Sequence, residues 1–321
     1  MMKIIYMGTP NFAVPCLRAL KDSKHEIVAV ITQPDKPTGR SKKLQESPVK
    51  TVAKEYGYQI YQFNKIRLDG VDIINSLDAD IIVTCAYGQI LNEDILFAKK
   101  FGVINVHGSI LPQYRGASPI QSAIINGEKT TGITILKSGI GIDDGPIIRT
   151  EAINILENET YGELSDRLSK LGAEVLLKAL DDIEQGTAVY INQDDSVATH
   201  CKMFKSDYGL INFNKSAKDI VNLIHGLNPS PVAYTYINDI RYKLYNAHVV
   251  ASDSLEQYGV SMDNAGIGDV VLAKSKTGLV IRALDAFVSL DKLQPENGKV
   301  LLAKDFLNSG KIKVGDKAFC E

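Results

Sequence analysis

The sequence predicts an α/β fold: a doubly wound, mostly parallel sheet followed by a smaller domain rich in short strands. Three observations carry this prediction. Short apolar runs alternate with helical patterns through the first half, as strands buried on both faces do between crossover helices. One long amphipathic helix closes that half at 160–186. Beyond residue 209, short β-like runs separated by turn residues take over, the texture of a small barrel or sandwich.

The apolar runs are KIIYMG (3–8), EIVAVIT (26–32), ADIIVTCAYG (79–88) and GVINVH (102–107). GITILK (132–137) and PIIRTEAINIL (146–156) read as later strands with more alternation. Helical patterns fill 11–22, 48–57, 70–76 and 117–126. In the long helix, Thr160 and Glu163 form a capping-box pattern. Leu164, Leu168, Leu171 and Val175 recur at helical spacing, and Gly186 is placed as its stop. Residues 188–209 are polar and weakly periodic, which reads as a linker. A helix at 216–227 then precedes VAYTYI, YKLYNAHVV, DVVLAK, GLVIRALDAFVSL and KVLLAKDFL.

Composition narrows the function classes. A length of 321 residues allows two or three domains. A net charge of −2 excludes a strongly basic coat for nucleic acid, so any polyanion site is local. Cys16, Cys85, Cys201 and Cys320 are scattered without a CxxC, which points to a reducing cytosol with neither disulfide framework nor zinc cluster. The apolar N-terminal run is too short for a signal peptide and reads as the first strand. No run is long enough to span a bilayer. A cytoplasmic protein without membrane or metal partners is expected, since HExxH and finger-spaced His/Cys pairs are absent as well.

In a doubly wound sheet, ligands bind outside the carboxyl ends of the strands. INVHGSILPQYRGASPIQ (104–121) places Asn105 and His107 at such an end. A period of two puts both on one face and Val106 on the other. An amide donor beside an imidazole can hold an oxyanion and move its proton. A turn-forming Asn beside a satisfied strand-end His is the plainer alternative. SGIGIDDGPII (138–148) adds Asp143 and Asp144 in a Gly-rich loop. A carboxylate there can orient an imidazole, or both can belong to a solvated turn. MGTP near residue 8 lacks the full glycine pattern of a dinucleotide loop. TQPDKPTGRSKKLQESPVK (32–50) is long for a strand-to-helix connection. Within 36–50, Lys36, Arg40, Lys42, Lys43 and Lys50 stand against Glu46, an excess of four positive charges. Such a loop can hold a phosphate-rich substrate or be an ordinary solvated surface.

Together these segments resemble the methionyl-tRNA formyltransferase family over nearly the full length. INVHGSILPQYRGASPIQ is similar to the family's Asn-x-His-x-Ser-Leu-Leu-Pro-x-x-Arg-Gly signature. GIDDGPII resembles its Leu-Asp-x-Gly segment and aligns Asp143, not Asp144, with the catalytic Asp. MGTPNFAVPCL looks like its opening strand and turn, and residues 32–50 look like its basic tRNA-contact loop. INFNKSAKDIVNLIHGLNPSPVAYT resembles the start of its C-terminal domain. Phe213 and Ser230 stand where the family often has Trp, His225 where it often has Arg, and Ile110 where Leu is usual. The Asn, His and Asp set is shared with other formyl-tetrahydrofolate enzymes, including glycinamide ribonucleotide formyltransferase. It marks the reaction type, while the basic loop and C-terminal half point to tRNA.

The resemblance implies a formyltransferase-like Rossmann variant at 1–188, a linker at 189–206, and an OB-like tRNA-binding barrel at 207–321. It implies that 10-formyltetrahydrofolate gives its formyl group to the α-amino group of initiator methionyl-tRNA, for translation initiation. Asn105 and His107 would donate to the developing oxyanion. Asp143 would hold His107 charged and collect the amine's proton through water. The folate would lie along Tyr87, Gly88, Ile90 and Leu91 and along Ser109, Ile110, Leu111 and Pro112. Lys36, Arg40, Lys42 and Lys43 would meet the tRNA, Arg40 entering the acceptor stem at a weak first pair. Residues 207–321 carry 13 Lys and Arg against 13 Asp and Glu. Positive charge there must therefore cluster, with Lys299, Lys304, Lys311, Lys313 and Lys317 as candidates. Arg115 fits a structural ion pair or a substrate contact. A monomer is expected. The rival readings are a formyltransferase acting on a small amine, such as glycinamide ribonucleotide or an amino sugar, and a non-catalytic tRNA- or folate-binding protein.

Overall fold

A computed structural model describes residues 1–38 and 43–319, which fall into two compact units. The first comprises Met1–Pro119, Thr130–Asn154 and Ser165–Cys201; the second comprises Ile120–Lys129, Ile155–Leu164 and the chain from Lys202.

The chain opens with β1 (Lys3–Gly8), α1 (Val14–Lys21), β2 (Glu26–Thr32), β3 (Lys36–Thr38), β4 (Lys43–Gln45), α2 (Pro48–Glu55) and β5 (Ile60–Gln62). Next come α3 (Ile66–Asp69), α4 (Val71–Ser76), β6 (Ile81–Cys85), α5 (Glu93–Leu96), β7 (Val103–His107), β8 (Arg115–Gly116) and α6 (Pro119–Ile125). Then β9 (Thr130–Lys137), β10 (Ile147–Asn154), α7 (Tyr161–Gln185) and β11 (His200–Cys201) follow.

Seven strands form the first unit's sheet in the order β10-β9-β7-β6-β1-β2-β5. The five from β7 to β5 run parallel, and β9 and β10 add an antiparallel edge. Ile5, Met7, Ile31, Ile82 and Val103 share one face with Ile66, Ile74 and Ile95 of α3, α4 and α5. On the opposite face a Cβ at Gly172 of α7 would come 3.1 Å from Val106. Cover on both faces is why these strands read as unbroken apolar runs. Helix ends follow their local chemistry. Ser47 accepts from the Lys50 amide at 3.1 Å, with Pro48 in the first turn of α2. At α7 the capping box forms: Glu163 accepts from the Thr160 amide at 2.9 Å, and Thr160 accepts from the Glu163 amide at 3.4 Å.

Three expectations change. The 32–50 loop contains an antiparallel hairpin, β3 with β4, pairing Lys36 to Gln45 and Thr38 to Lys43. β5 adds an edge strand that three residues are too few to announce by periodicity. The stretch read as a linker, 189–206, is bound along much of its length. Ile191 bridges to Ile147, and β11 pairs in parallel with β8. Its polarity reflects side chains such as Gln193 and Asp195 that hydrogen-bond to the first unit's own groups.

The second unit contains α8 (Ala217–Gly226), β12 (Ala233–Ile237), β13 (Ile240–Val250), β14 (Val270–Lys274), β15 (Gly278–Arg282), β16 (Phe287–Pro295), β17 (Leu301–Leu302) and α9 (Ala303–Phe306). Its antiparallel sheet has the order β12-β13-β16-β15-β14, with β17 also on β16. Ile220 and Ile224 of α8 share its core with Tyr242, Leu244 and Leu290. Phe213 is fully buried there, so its replacement of the family's frequent Trp is an interior size change. His225 is also interior, with Nε2 3.1 Å from Asn246 Oδ1, which gives it a packing role. The carbonyl of Ser230 accepts from Gln121 at 2.9 Å.

Candidate active site

The site grows from the carboxyl end of β7, where alternation turns Asn105 and His107 away from the Val106 face. In register beside Asn105 on β6 stands Thr84. Its hydroxyl donates to Asn105 Oδ1 at 2.9 Å, so the amide's nitrogen is the end turned toward the opposite loop. Asn105 Nδ2 donates to Asp143 Oδ1 at 3.2 Å.

Asp143 gathers the site. Besides Asn105, its carboxylate accepts from the Gly116 amide at 2.9 Å and lies 3.5 Å from His107 Nδ1. Its backbone is left-handed, at φ 52°, and its carbonyl accepts from Gln193 at 2.8 Å. Asp144 turns the other way: a Cβ at Gly141 would lie 2.1 Å from its carboxylate. The choice of Asp143 over Asp144 therefore has a geometric basis in the loop.

His107 is 5% exposed. Its Nε2 sits 3.0 Å from the Tyr114 carbonyl, and since a carbonyl only accepts, Nε2 carries a proton. Nδ1, at the longer distance to Asp143, is the nitrogen left to exchange partners. Tyr114, also left-handed at φ 62°, and Thr84 are partners that sequence reasoning missed. Neither has a sequence signal, because each acts through strand register or carbonyl direction.

Arg115 is buried and committed to structure. Its Nε donates to Gln193 at 3.0 Å and its Nη2 to Asp195 at 2.7 Å. Gly116 must be glycine: φ is 112°, and a Cβ would lie 2.3 Å from the Cys201 carbonyl. This fit holds the Gly116 amide against Asp143.

The residues expected to line a folate separate into two groups. Tyr87 is buried in the core with Phe63 and Ile95, and its hydroxyl has no hydrogen-bond partner among the described residues. Burial pushes that phenol's pKa well up. Ser109 is fully buried and donates to the Gln113 carbonyl at 2.6 Å, so its hydroxyl shapes the loop. Leu111 is also buried, its amide donating to Thr134 Oγ1 at 3.2 Å. Ile110 and Pro112 are half-buried. At the surface, Gly88 takes φ 88°, Leu91 packs partly on the core, and Ile90 is 72% exposed. Ile140 and Ile142, just before Asp143, are also exposed.

Arg40 and Lys42 lie outside the described residues. Lys36 is exposed at the start of β3, and Lys43 opens β4. Lys50, counted in the basic excess, is neutralised at the hairpin's base. It lies 2.7 Å from Asp35 and 2.9 Å from Gln62, and Gln62 in turn donates to Asp35 at 2.9 Å. The Lys50 bond holds the Asp35 carboxyl below its usual range, and Asp35 raises Lys50.

Among the described residues, His25, Asp181 and Glu184 come close enough to suggest a metal. Lys24 Nζ already bridges the two carboxylates at 2.8 and 2.7 Å, and His25 Nδ1 accepts from the Met2 amide at 3.2 Å. Among the described residues Cys16, Cys85 and Cys201 are not in a disulfide, and Cys320 lies outside them.

Comparison with known proteins identifies the family. Residues 2–180 match the model of the formyl transferase family, and 203–311 match that of the formyl transferase C-terminal domain. A methionyl-tRNA formyltransferase from Ruminiclostridium cellulolyticum is 39% identical over 317 residues, covering 98% of this chain and 99% of the relative. One from Clostridioides difficile is 41% identical over 315 residues, with coverage of 98% and 99%. Among solved structures, the sugar 3N-formyl transferase WlaRD, crystallised with dTDP and 5-N-formyl-THF, superposes with a TM-score of 0.67 at 23% identity, covering 93% of this chain and 99% of that one. HypX from Aquifex aeolicus with tetrahydrofolic acid gives 0.63 at 13% identity, covering 100% of this chain and 51% of that one.

Proposed function

This chain belongs to the methionyl-tRNA formyltransferase family, and from that membership we propose how its own residues perform the reaction. The enzyme transfers a formyl group to the α-amino group of initiator methionyl-tRNA. The folates in structures sharing this fold support a folate-linked donor, which we read as 10-formyltetrahydrofolate. Exposed Ile90, Ile140 and Ile142 supply apolar surface beside the strand-end loops, which suits a flat pterin.

The amine attacks the formyl carbon, and negative charge develops on the formyl oxygen. Asn105 keeps a second amide N–H beyond the one given to Asp143, and this N–H serves that oxygen. The Tyr114 carbonyl fixes the His107 ring through Nε2, leaving Nδ1 to shift its proton between Asp143 and the reacting atoms. Asp143 takes up the amine's proton through water, and as the intermediate collapses the formyl C–N10 bond breaks and N10 leaves with a proton supplied by His107 Nδ1. The arrangement asks for an oriented amide, an imidazole and one carboxylate, and these are what the strand end supplies.

Lys36, Arg40, Lys42 and Lys43 meet the tRNA in this reading; Lys36 and Lys43 belong to the hairpin β3–β4. Residues 1–188 act as the catalytic domain and 207–321 as an OB-like tRNA-binding domain, supported by the antiparallel sheet with α8 against its core. Action in the cytoplasm as a monomer belongs to the same proposal; no helix among the described residues is long and apolar enough to cross a membrane.

The convergence of Asn105 and His107 on Asp143, at 3.2 and 3.5 Å, carries the mechanism. The test supplies purified protein with 10-formyltetrahydrofolate and methionyl-tRNA, with glycinamide ribonucleotide and a nucleotide-linked amino sugar as competing acceptors. Formylmethionyl-tRNA is the expected product. Formyl appearing on either small amine instead would overturn the assignment.

A further inference from the structure

We propose that Gln193 is a positioning residue for Asp143, its side-chain amide clamping the Gly-rich loop so that the Asp143 carboxylate meets His107. This rests on the formyl transfer proposed above and adds the group that keeps its carboxylate in place.

The loop needs such a group. Its ends are set by backbone bonds, from the Lys137 amide to the Pro146 carbonyl at 2.9 Å and from the Ser138 amide to the Val103 carbonyl at 2.8 Å. Between them stand Gly139, Gly141 and Gly145, which leave a backbone many conformations. Asp143 holds a left-handed φ of 52°, a conformation that a non-glycine residue keeps when its surroundings support it. The contact at stake is also short of slack. His107 Nδ1 lies 3.5 Å from the carboxylate, already long for a hydrogen bond. A displacement of about 1 Å would remove it, and a misplacement of that size can cost about 100-fold in rate.

Gln193 supplies the support with both ends of its amide. Nε2 donates to the Asp143 carbonyl at 2.8 Å and to the Gly145 carbonyl at 2.7 Å. One nitrogen thus fixes two carbonyls on either side of Asp144. Oε1 accepts from Arg115 Nε at 3.0 Å. Chemistry settles which end is which: a guanidinium only donates and a carbonyl only accepts, so the oxygen faces Arg115 and the nitrogen faces the loop. Arg115 is buried and braced in turn by Asp195, at 2.7 Å from Nη2. Beside it, Gly116 gives its amide to the Asp143 carboxylate at 2.9 Å. The strand β8 therefore holds Asp143 twice, at its carboxylate directly and at its backbone through Gln193.

The plainer role for Gln193 is to tack its own segment to the first unit. Burial argues otherwise. From 189 to 197 every residue except Gln193 is exposed, Val189 and Ile191 included. A segment docked for its own packing turns apolar side chains inward. Here the residue turned inward is a polar one, and its N–H groups go to the loop that carries Asp143.

Full-length protein tests the proposal. Gln193→Met keeps the length of the side chain and removes its hydrogen bonds. Gln193→Glu keeps an acceptor for Arg115 and removes the donors to the loop. Asn192→Ala, exposed next door, is the control. With 10-formyltetrahydrofolate and methionyl-tRNA, kcat should fall about 10- to 100-fold in both Gln193 variants while each KM stays within about threefold. In an Asp143→Asn background the same substitutions should cost less than about threefold more, because the carboxylate they position is already gone. Hydrogen exchange at the Gly116 amide, whose acceptor is that carboxylate, should quicken about tenfold or more. The control should match the wild type throughout. A wild-type kcat in both Gln193 variants, or equal losses with and without the Asp143 carboxylate, would overturn the positioning role. Unchanged exchange at Gly116 would overturn the clamp whatever the acceptor. Faster exchange at Gly116 in a protein whose wild type does not formylate methionyl-tRNA would leave the clamp standing and overturn the functional reading instead.

Discussion

At the scale of single residues, two adjacent aspartates have different fates because the loop bends between them. Asp143 meets Asn105, Gly116 and His107, while Asp144 folds back toward Gly141. Asp143→Asn keeps a carbonyl oxygen for the Gly116 amide but removes the charge. It should lower kcat at least about 100-fold, the size expected for a lost acid–base group. Asp144→Asn should stay within about threefold of wild type. Equal losses in steady-state assays of the two variants would mean that the loop, rather than the Asp143 charge, is what matters. The facing of Asn105 and His107 was legible from a period of two, and Asp143 from its motif. Thr84 and the Tyr114 carbonyl were not, since strand register and a left-handed φ set their positions.

At the scale of elements, the two-residue strands β8 and β11 have a role beyond their length. They bring Gly116 to Asp143, and Arg115 ties the same corner to Gln193 and Asp195. Gly116→Ala forces a Cβ to within 2.3 Å of the Cys201 carbonyl at a φ of 112°. Strain of this kind is worth about 1–3 kcal/mol. The denaturation midpoint should fall accordingly, and residues 189–201 should become open to protease. An unchanged cleavage pattern would show that the pairing does not hold this segment. The long elements β1, β2, β6, β7 and α7 were readable because apolar period and caps agree over many residues. The 189–206 segment reads as a linker because it is polar and mostly exposed, yet Gln193 and Asp195 accept from Arg115 and β11 pairs with β8, bonds that polarity alone does not announce. β3 and β4 were hidden by the turn-rich composition of the loop that contains them.

At the scale of the whole molecule, each compact unit contains a buried histidine whose pKa lies below the usual value. Burial is the first cause for both His25 and His225; the Lys24 charge adds to it at His25. The unfolded chain therefore takes up these protons first as pH falls through about 6.5, and folded stability declines below that point. Denaturation midpoints should fall between about pH 6.5 and 5, and Asn in place of both histidines should flatten that slope. A midpoint that rises toward pH 5 would reverse the sign. In the proposed reaction the same whole molecule holds the tRNA and the formyl donor while the end of β7 polarises the formyl group. Single-turnover formyl transfer by full-length Asn105→Ala, with saturating 10-formyltetrahydrofolate and methionyl-tRNA, examines that step. Loss of one oxyanion donor should slow the rate by about 100- to 1,000-fold while the Kd for tRNA is unchanged. A rate within about threefold of wild type would contradict the assignment of Asn105 to the formyl oxygen.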